Sequence, residues 1–364
     1  MKILKSRLPI LLALFAMFAL VLSGCGDSRP GKEVVQEALK KQASLNSYGF
    51  DGKLKLNLGV DAAALQADPQ AGMFLEMLKN SELTYRGNAS LEPFQMEVTL
   101  DAKVDMQGAS TTFSIPMIMN QDKMWIKVPA LDMVPELAML KGKYIELDYK
   151  ELEQMAAAQG EATEMPKFDA ATMKEQKEMT IKLTDATMKH YGPEYFVDAK
   201  KEEIPNFPAD VKADRIVNLK VTNETMIPFL KTSVEKVIPE VLTVLAESPS
   251  MKEALAQDAQ AIEQFKTEAK DFAADVDKNE ADIKSALNIK KANYFLAIDK
   301  DKNIPFQLMD WDVTISDKAS GQSFDIGLIF EQKSSNFDTA PKWELPIPKG
   351  DEVITFTDLM QGNF

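Results

Sequence analysis

Strict alternation of apolar and polar residues is the most extended pattern in this sequence. It covers residues 50–58, 94–106 and 309–315, and shorter alternating stretches lie near 113–119, 124–128 and 324–330. Successive side chains of a strand point to opposite faces of its sheet, so each run predicts a strand with one apolar and one polar face. Such strands form antiparallel sheets that meet water on one side. The pattern therefore predicts a long antiparallel sheet whose first half is a meander.

Helical periodicity alternates with these strands. It predicts a first helix from Lys32 to Leu45, further helices near 133–140 and 149–158, and the strongest helical segment between Thr222 and Leu287. Within that last segment an apolar stripe predicts a buried helix that Pro239 kinks; its members are Leu230, Val234, Val237, Val241 and Leu245. The apolar side of the sheet needs a cover, and these helices are the available material. We predict an α+β fold, a long curved antiparallel sheet with helices on its inner face.

The N-terminus has the parts of a lipoprotein signal. Three basic residues precede the uncharged apolar stretch 8–22, which is too short for a spanning helix, and the Leu-Ser-Gly-Cys sequence at 22–25 matches the bacterial lipobox. We predict that residues 1–24 are removed and that Cys25, the only cysteine, is diacylated. Two acyl chains make a stable membrane anchor. An ordinary signal-peptide cut beside a stray thiol is the alternative.

Composition and charge exclude several functions. One histidine and one cysteine exclude a multi-histidine zinc site, a disulfide framework and a CxxC redox pair. Residues 1–24 carry three basic residues and no acidic one, so their removal lowers the formal net charge from −14 to −17. A chain this acidic lacks the basic surface of a nucleic-acid binder and is repelled by anionic lipid. We therefore expect the anchor to be its contact with the outer face of the cell membrane.

Candidate catalytic groups have simpler interpretations. His190 lies in a turn-like context without a GxSxG element, so we predict a surface histidine. Ser233 and Lys236 match the SxxK pattern of penicillin-recognising enzymes, but the SDN and KTG partners are missing. Asp310 and Asp312 lie on the polar side of a predicted strand, where nothing raises the pKa of a carboxyl group. We predict no catalytic residue and no enzyme.

Residues 299–303 resemble the opening of a calcium loop, with oxygen ligands at its first, third and fifth positions. The glycine required at position six is replaced by Ile304, and position twelve is Asp310 instead of glutamate. A polar hairpin turn explains these residues. We therefore predict no metal and no cofactor.

Methionine is the most unusual component, with 20 in the chain and five between residues 117 and 139. Its flexible, polarisable side chain suits a cavity for variable apolar shapes, and it equally fills irregular cores. Plain core packing and a lipid pocket therefore both remain open. Copper binding has less support, because tight MxxM clusters with nearby histidine are missing.

The order of these features resembles the LppX/LprG and LolA-like lipoproteins. The resemblance rests on the lipobox, the amphipathic first helix, the stretch Leu45–Gly52 that opens a long strand, the meander, and a late hairpin from Tyr294 to Trp311. It implies a half-barrel whose concave face is covered by helices, with an apolar cavity for acyl chains. The longer helical insert at 222–287 departs from that layout and could plug the cavity. The chain also resembles uncharacterised surface lipoproteins of Gram-positive bacteria, which imply no ligand.

Together these observations predict a signal peptide (1–24), a short tether (25–31) and one α+β domain (32–364) with a helical insert at 222–287. The function that we predict is a lipid-anchored, non-enzymatic binder or carrier of an apolar, lipid-like ligand. The alternative is a structural or interaction lipoprotein of the cell envelope with a solid core. The predicted cavity is lined by Met117, Met119, Met124, Met133, Met139, Phe229, Leu230 and Trp311.

Overall fold

All strands of the described chain belong to one open sheet. The computed structural model describes residues 29–59, 81–106, 109–129, 139–158, 167–248, 278–317 and 322–362, together with 267, 271 and 274–276. The strands run over Ser47–Gly59 (β1), Glu82–Leu91 (β2), Phe94–Met106 (β3), Ala109–Asn120 (β4), Lys123–Lys127 (β5), Tyr144–Asp148 (β6), Phe196–Asp198 (β7), Arg215–Lys220 (β8), Leu287–Ile298 (β9), Phe306–Asp317 (β10), Gln322–Ser335 (β11) and Val353–Thr355 (β12).

The sheet order confirms the predicted antiparallel meander. Its twelve strands lie in the order β12-β6-β5-β4-β3-β2-β1-β11-β10-β9-β8-β7, and every neighbouring pair except β12 and β6 is antiparallel. The two edge strands, β7 and β12, have only three residues each. Short edge strands limit pairing with other chains. The predicted α+β class, with a long half-barrel-like sheet that does not close, is correct.

The helices run over Gly31–Ser44 (α1), Tyr149–Ala158 (α2), Ala170–His190 (α3), Met226–Thr232 (α4), Ile238–Glu247 (α5), Glu280–Ala286 (α6) and Phe356–Gln361 (α7). The predicted first helix and the helix at 149–158 are confirmed. A π-helical turn, Ser233–Val237, separates α4 from α5, and Pro239 lies in the first turn of α5. The interruption thus falls beside the proline that was expected to kink this segment. Elements α4, α5 and α6 belong to the connection between the adjacent strands β8 and β9.

We call the face of the sheet that carries Leu54 the inner face. Helices α1, α3 and the α4–α5 unit pack on it at the β7–β9 end, as predicted. Their shared core is almost solvent-free, and its buried members are Val34, Val35, Ala38, Met188, Tyr191, Tyr195, Phe196, Val217, Val237, Leu296, Ile298 and Ile304. At about 25 cal/mol per Å2 of buried apolar surface, a core of this size is a main source of the stability of this end.

Helix α5 departs from the prediction that the apolar stripe of 222–287 is buried. Met226 and Ile227 of α4 and Val237 of the π-turn are buried, whereas no residue of α5 is. Val241 packs only partly against the helical core. The prediction failed because α5 lies at the margin of the helical core, where its apolar side chains stay half-exposed.

The outer face is not simply wet, which corrects a second prediction. Near β8–β10, a second core forms on this face, where residues of the 199–213 connection, including Ile204 and Val211, cover Phe295, Phe306 and Leu308. Phe306 has no solvent exposure. The sheet is therefore apolar on both faces at this end.

The C-terminal segment covers the outer face at β2–β5. Glu97 of β3 is 3% exposed, and its carboxylate accepts hydrogen bonds from the backbone N–H groups of Glu344 and Leu345 at 2.8–3.0 Å and from Asn88 Nδ2 at 2.8 Å. Leu345 then packs against the buried pair Ile118 and Trp125. A buried carboxylate is stable only when it is hydrogen-bonded, so Glu97 holds this segment in place.

Candidate functional site

Cross-strand register builds a continuous apolar surface on the inner face. Leu54 of β1 pairs with Leu83 of β2 and Phe330 of β11, and Trp311 of β10 pairs with Leu328 of β11. Because residues two apart share a face, the same alignment places most apolar members of β3, β4 and β5 on this face as well, whereas Ile118 and Trp125 lie on the outer face.

The centre of this face is more exposed than its helix-covered end. Four large apolar side chains on three adjacent strands keep more than a third of their surface: Leu54 (37%), Trp311 (44%), Ile315 (42%) and Ile326 (40%). We call these four residues the central apolar patch. Large contiguous exposed apolar patches on soluble domains mark binding sites more often than scattered apolar residues do.

An aromatic ladder lies beside the patch. Ring centroids are 6.0–6.3 Å apart along Tyr48, Phe50, Tyr85 and Phe330. Two glycines make the room: a Cβ at Gly52 would lie 2.5 Å from the Tyr85 hydroxyl, and one at Gly87 would lie 3.0 Å from Phe50 and 2.0 Å from a backbone oxygen. The Tyr85 ring thus lies over Gly52 and the Phe50 ring over Gly87, and the surface is rich in aromatic edges.

Burial raises the pKa of the phenols on this face, and most strongly for two of them. Burial raises the pKa of Tyr294, whose hydroxyl donates to Gln307, to about 12. Burial raises the pKa of Tyr85 to about 12 as well, with smaller contributions from the negative charges of Asp51 and Glu331. Both shifts indicate a low-dielectric environment, which favours uncharged groups.

The methionine region divides between this face and the surface. Met117, Met119 and Met124 lie on the inner face of β4 and β5, where Met119 pairs with Met124. Met139 is 67% exposed in the turn before β6. Met133 lies outside the described residues. Four strands separate β4 from β10, so the three inner-face methionines and Trp311 share a face without adjoining one another.

The other two predicted cavity residues pack against helices. Phe229 of α4 stacks on Tyr191 with centroids 4.7 Å apart, at the margin of the helical core. Leu230 packs against a small core around Met226, Ile227 and Val276. Both therefore help to hold α4 against the sheet.

Two clefts of the described residues have mixed polar and apolar linings and open on the outer face. One of about 460 Å3 lies over Gly327 and is bordered by Lys290, Asp312 and Asp325, whose charges pair at 2.7 and 3.5 Å. Hydrogen bonding to Asp325 raises the pKa of Lys290, and the same contact lowers the pKa of Asp325. Another cleft, of about 340 Å3, lies beside Glu97 and the C-terminal segment. Neither has the apolar lining typical of a lipid pocket.

His190 is not the surface residue that the sequence predicts. It ends α3, its side chain is 18% exposed, and its Nε2 contacts the carboxylate of Glu240 on α5. Glu240 also accepts from Lys189 Nζ at 2.9 Å, and the hydrogen bonds from Lys189 and His190 lower the pKa of its carboxyl group. The imidazole thus joins two helices.

The remaining polar candidates also have structural partners. The Ser233 hydroxyl lies 2.8 Å from the Phe229 carbonyl oxygen and 2.6 Å from the Tyr191 hydroxyl. Asp310 is 8% exposed and contacts Lys291 Nζ at 3.0 Å. These contacts provide geometry for packing and none for nucleophile activation.

Residues 299–303 form the predicted polar turn. The Asp299 carboxylate accepts from the backbone N–H groups of Asp301 and Asn303 at 2.9 Å and from the Asn303 side chain at 3.0 Å. Among the described residues, no group of three or more His, Cys, Asp or Glu side chains could hold a metal ion.

In the same part of the chain, no helix is long and apolar enough to cross a membrane.

Sequence reasoning missed the central apolar patch as a unit. Ile315 and Ile326 were placed on apolar strand faces but not singled out. One signal in the sequence could have indicated the patch. The longest predicted helical segment directly follows the sequence of β8, so helices are expected to cover that end of the sheet and to leave its centre more exposed.

Comparison with known proteins provides little. No protein-family model matches this sequence, and no curated protein matches it. Among solved structures, the chain is similar to the crystal structure of LprF from Mycobacterium bovis, with 9% sequence identity over 89% of this chain and 100% of that chain and a TM-score of 0.26. At this TM-score the likeness carries no argument about function.

Proposed function

We propose that this chain is a lipid-anchored extracytoplasmic protein that binds an apolar, lipid-like ligand on the inner face of its sheet. The central apolar patch carries the proposal. Its four side chains lie on β1, β10 and β11 and expose 37–44% of their surface. At about 25 cal/mol per Å2, covering such side chains with an apolar ligand is strongly favourable.

Three further features support a ligand of this kind. Tyr85 and Phe330 stack beside the patch, and planar rings offer a large contact area at a low cost in side-chain entropy. The pKa of Tyr85, raised to about 12, indicates surroundings that disfavour charge. Met117, Met119 and Met124 extend the apolar face toward β5, and their flexible side chains suit acyl chains of variable shape.

Anchoring completes the proposal. In this account residues 1–24 are removed, Cys25 carries the acyl chains, and residues 25–31 tether the domain to the outer face of the cell membrane. The signal sequence supports this location. A ligand carrier held at a membrane needs no catalytic group.

The test uses two exposed tryptophans as a matched pair. Trp311 belongs to the patch and is 44% exposed, whereas Trp343 is 36% exposed in the C-terminal segment. We expect Trp311→Ala to weaken binding of the fluorescent apolar probe N-phenyl-1-naphthylamine, and Trp343→Ala to leave it unchanged. Equal effects of both variants, or no binding by the unmodified domain, would contradict the proposal.

A structural envelope protein is the second candidate. The charged border of the cleft over Gly327 favours it, since Lys290, Asp312 and Asp325 suit a protein surface better than a lipid. In that case crosslinking in intact cells yields one stable neighbour, and no lipid co-purifies with the domain.

A further inference from the structure

We propose that the β7 edge of the sheet faces the lipid bilayer, and that the central apolar patch is thereby held above the membrane. This inference rests on the proposed lipidation of Cys25. Its basis is where the tether ends: the first described residues are bound tightly to one edge of the sheet, and little chain separates them from Cys25.

Arg215 binds the tether to the edge strand. Its Nη1 donates to the backbone oxygen of Arg29 at 2.6 Å, while its Nε and Nη2 donate to the carboxylate of Asp198 on β7 at 2.7 and 3.1 Å. The Arg215 side chain is only 15% exposed. Bidentate arginine–carboxylate contacts of this kind fix orientation as well as distance.

Close packing at Gly31 also holds the start of α1 against the edge strand β7. Gly31 is buried, and a Cβ there would lie 2.8 Å from the backbone oxygen of Phe196 on β7 and 3.2 Å from Val217. Helix α1 thus begins directly against the edge strand. Arg29 also pairs with Glu37 of this helix at 2.5 Å.

The remaining tether is short. Four residues at about 3.4 Å each carry the chain from Cys25 to Arg29, a reach of at most about 14 Å. The head-group layer of one leaflet is itself about 5–7 Å thick. Arg29 therefore lies within about 10 Å of the membrane surface, and so does the strand to which Arg215 binds it.

With the β7 edge facing the bilayer, the order of the strands sets how far the patch lies from the membrane. Strands β10, β11 and β1 are three, four and five positions from β7. At about 4.8 Å per strand, they lie about 14–24 Å from that edge along the sheet. A ligand taken from the bilayer must therefore leave it to reach Trp311, and the patch stays accessible to other proteins.

The test compares two exposed positions at opposite edges. Val197 on β7 is 47% exposed, and Met360 in α7, beside β12, is 66% exposed. Because the lipidated Cys25 sulfur is a thioether, Val197→Cys or Met360→Cys supplies the single free thiol of the mature protein. Each is labelled with a fluorophore in the lipidated protein, reconstituted in phosphatidylcholine vesicles whose head groups carry a nitroxide quencher.

We expect loss of fluorescence for the label at position 197 and none for the label at position 360. Insertion of ten Gly and Ser residues after Gly26 lengthens the tether by roughly 18 Å and should abolish the quenching at position 197. Equal quenching at both positions, stronger quenching at position 360, or quenching that survives the insertion would overturn the inference.

Mass spectrometry of the N-terminal peptide from the same sample separates this inference from the proposed function. A peptide without a diacylglyceryl group contradicts the anchor itself. A lipidated protein whose label at position 197 is not quenched leaves the anchor in place and contradicts only the orientation.

Discussion

Similar apolar side chains on the inner face of the sheet differ in solvent exposure between its helix-covered end and its centre. At its helix-covered end, Val217, Leu296 and Ile298 are at most 1% exposed. At its centre, Leu54 and Ile326 remain 37% and 40% exposed, although they occupy the same face of the same sheet. Position beneath a helix, and not residue type, decides burial. The covered end supplies stability, and the centre stays partly exposed.

The largest expected effect comes from a matched pair of leucines. We expect Leu296→Ala to lower the free energy of unfolding by about 2–5 kcal/mol, because it leaves a cavity in the helical core. Leu54→Ala should cost only about 1 kcal/mol, because that side chain is already partly in water. Urea unfolding of the two variants measures the difference. Equal losses would mean that the centre is as tightly packed as the covered end.

Alkaline titration sharpens the comparison through the two phenols. Tyr294 lies near the helices and Tyr85 at the centre, and burial raises both pKa values to about 12. A raised pKa in the folded state favours the neutral phenol, so its contribution to stability is present below pH 10 and is lost as the pH rises toward 12. For Tyr294 we expect a loss of about 2–3 kcal/mol over this range, and less for the half-buried Tyr85.

The measurement is the phenolate absorbance of the native protein as the pH rises. Tyr294→Phe should remove one late-titrating phenol from the curve and make unfolding less sensitive to pH above 10. If all seven tyrosines titrate near pH 10 in the folded protein, the low-dielectric environment of this face is contradicted.

Loss of the Glu97 charge tests a cover on the outer face. Glu97→Gln keeps one acceptor but loses the charge-assisted bonds to the Glu344 and Leu345 N–H groups, so we expect a cost of about 1–2 kcal/mol. Hydrogen exchange should accelerate at these two amides. The control is Glu344→Gln, which changes an exposed carboxylate on the same segment. Faster exchange in the Glu344→Gln control but not in Glu97→Gln would contradict the role of Glu97 in holding this segment.

The smallest effect is expected for a surface pair on the polar face of the central strands. Arg86 contacts Asp101 at 2.6 Å, with the Arg86 side chain 57% exposed. Arg86→Gln should lower the free energy of unfolding by about 0.2–1 kcal/mol, and by less at high salt. Urea unfolding at two salt concentrations checks this. A larger loss of stability that does not depend on salt would contradict this, because it would mean that the pair contributes as much to stability as a buried core residue.

Alternation predicted much of the sheet, because β1, β3 and β10 each meet water or half-buried surroundings on one side. It did not predict β2, where Arg86 and Asn88 occupy polar positions of the alternation but Gly87 takes the place of an apolar side chain between them; there Gly87 makes room for Phe50. Strand β8 carries the continuous apolar run Ile216–Val217 because both of its faces are covered, so period two is lost.

The sequence could not predict the side-chain contacts of the site, because they join residues that are far apart along the chain. His190 faces Glu240, 50 residues away, and Glu97 holds a segment 247 residues further along. No local pattern encodes such contacts. The exposure of the patch likewise depends on where the helices pack on the sheet, which periodicity alone does not specify.

Native mass spectrometry of the domain, purified without its anchor from its own host, tests the central claim most directly. Binding at the exposed centre of the inner face predicts a population whose mass exceeds that of the polypeptide by one extractable apolar molecule. The Trp311→Ala domain should carry less of it, and the Trp343→Ala domain as much as the unmodified protein. A single mass equal to the bare polypeptide in all three preparations would contradict the account.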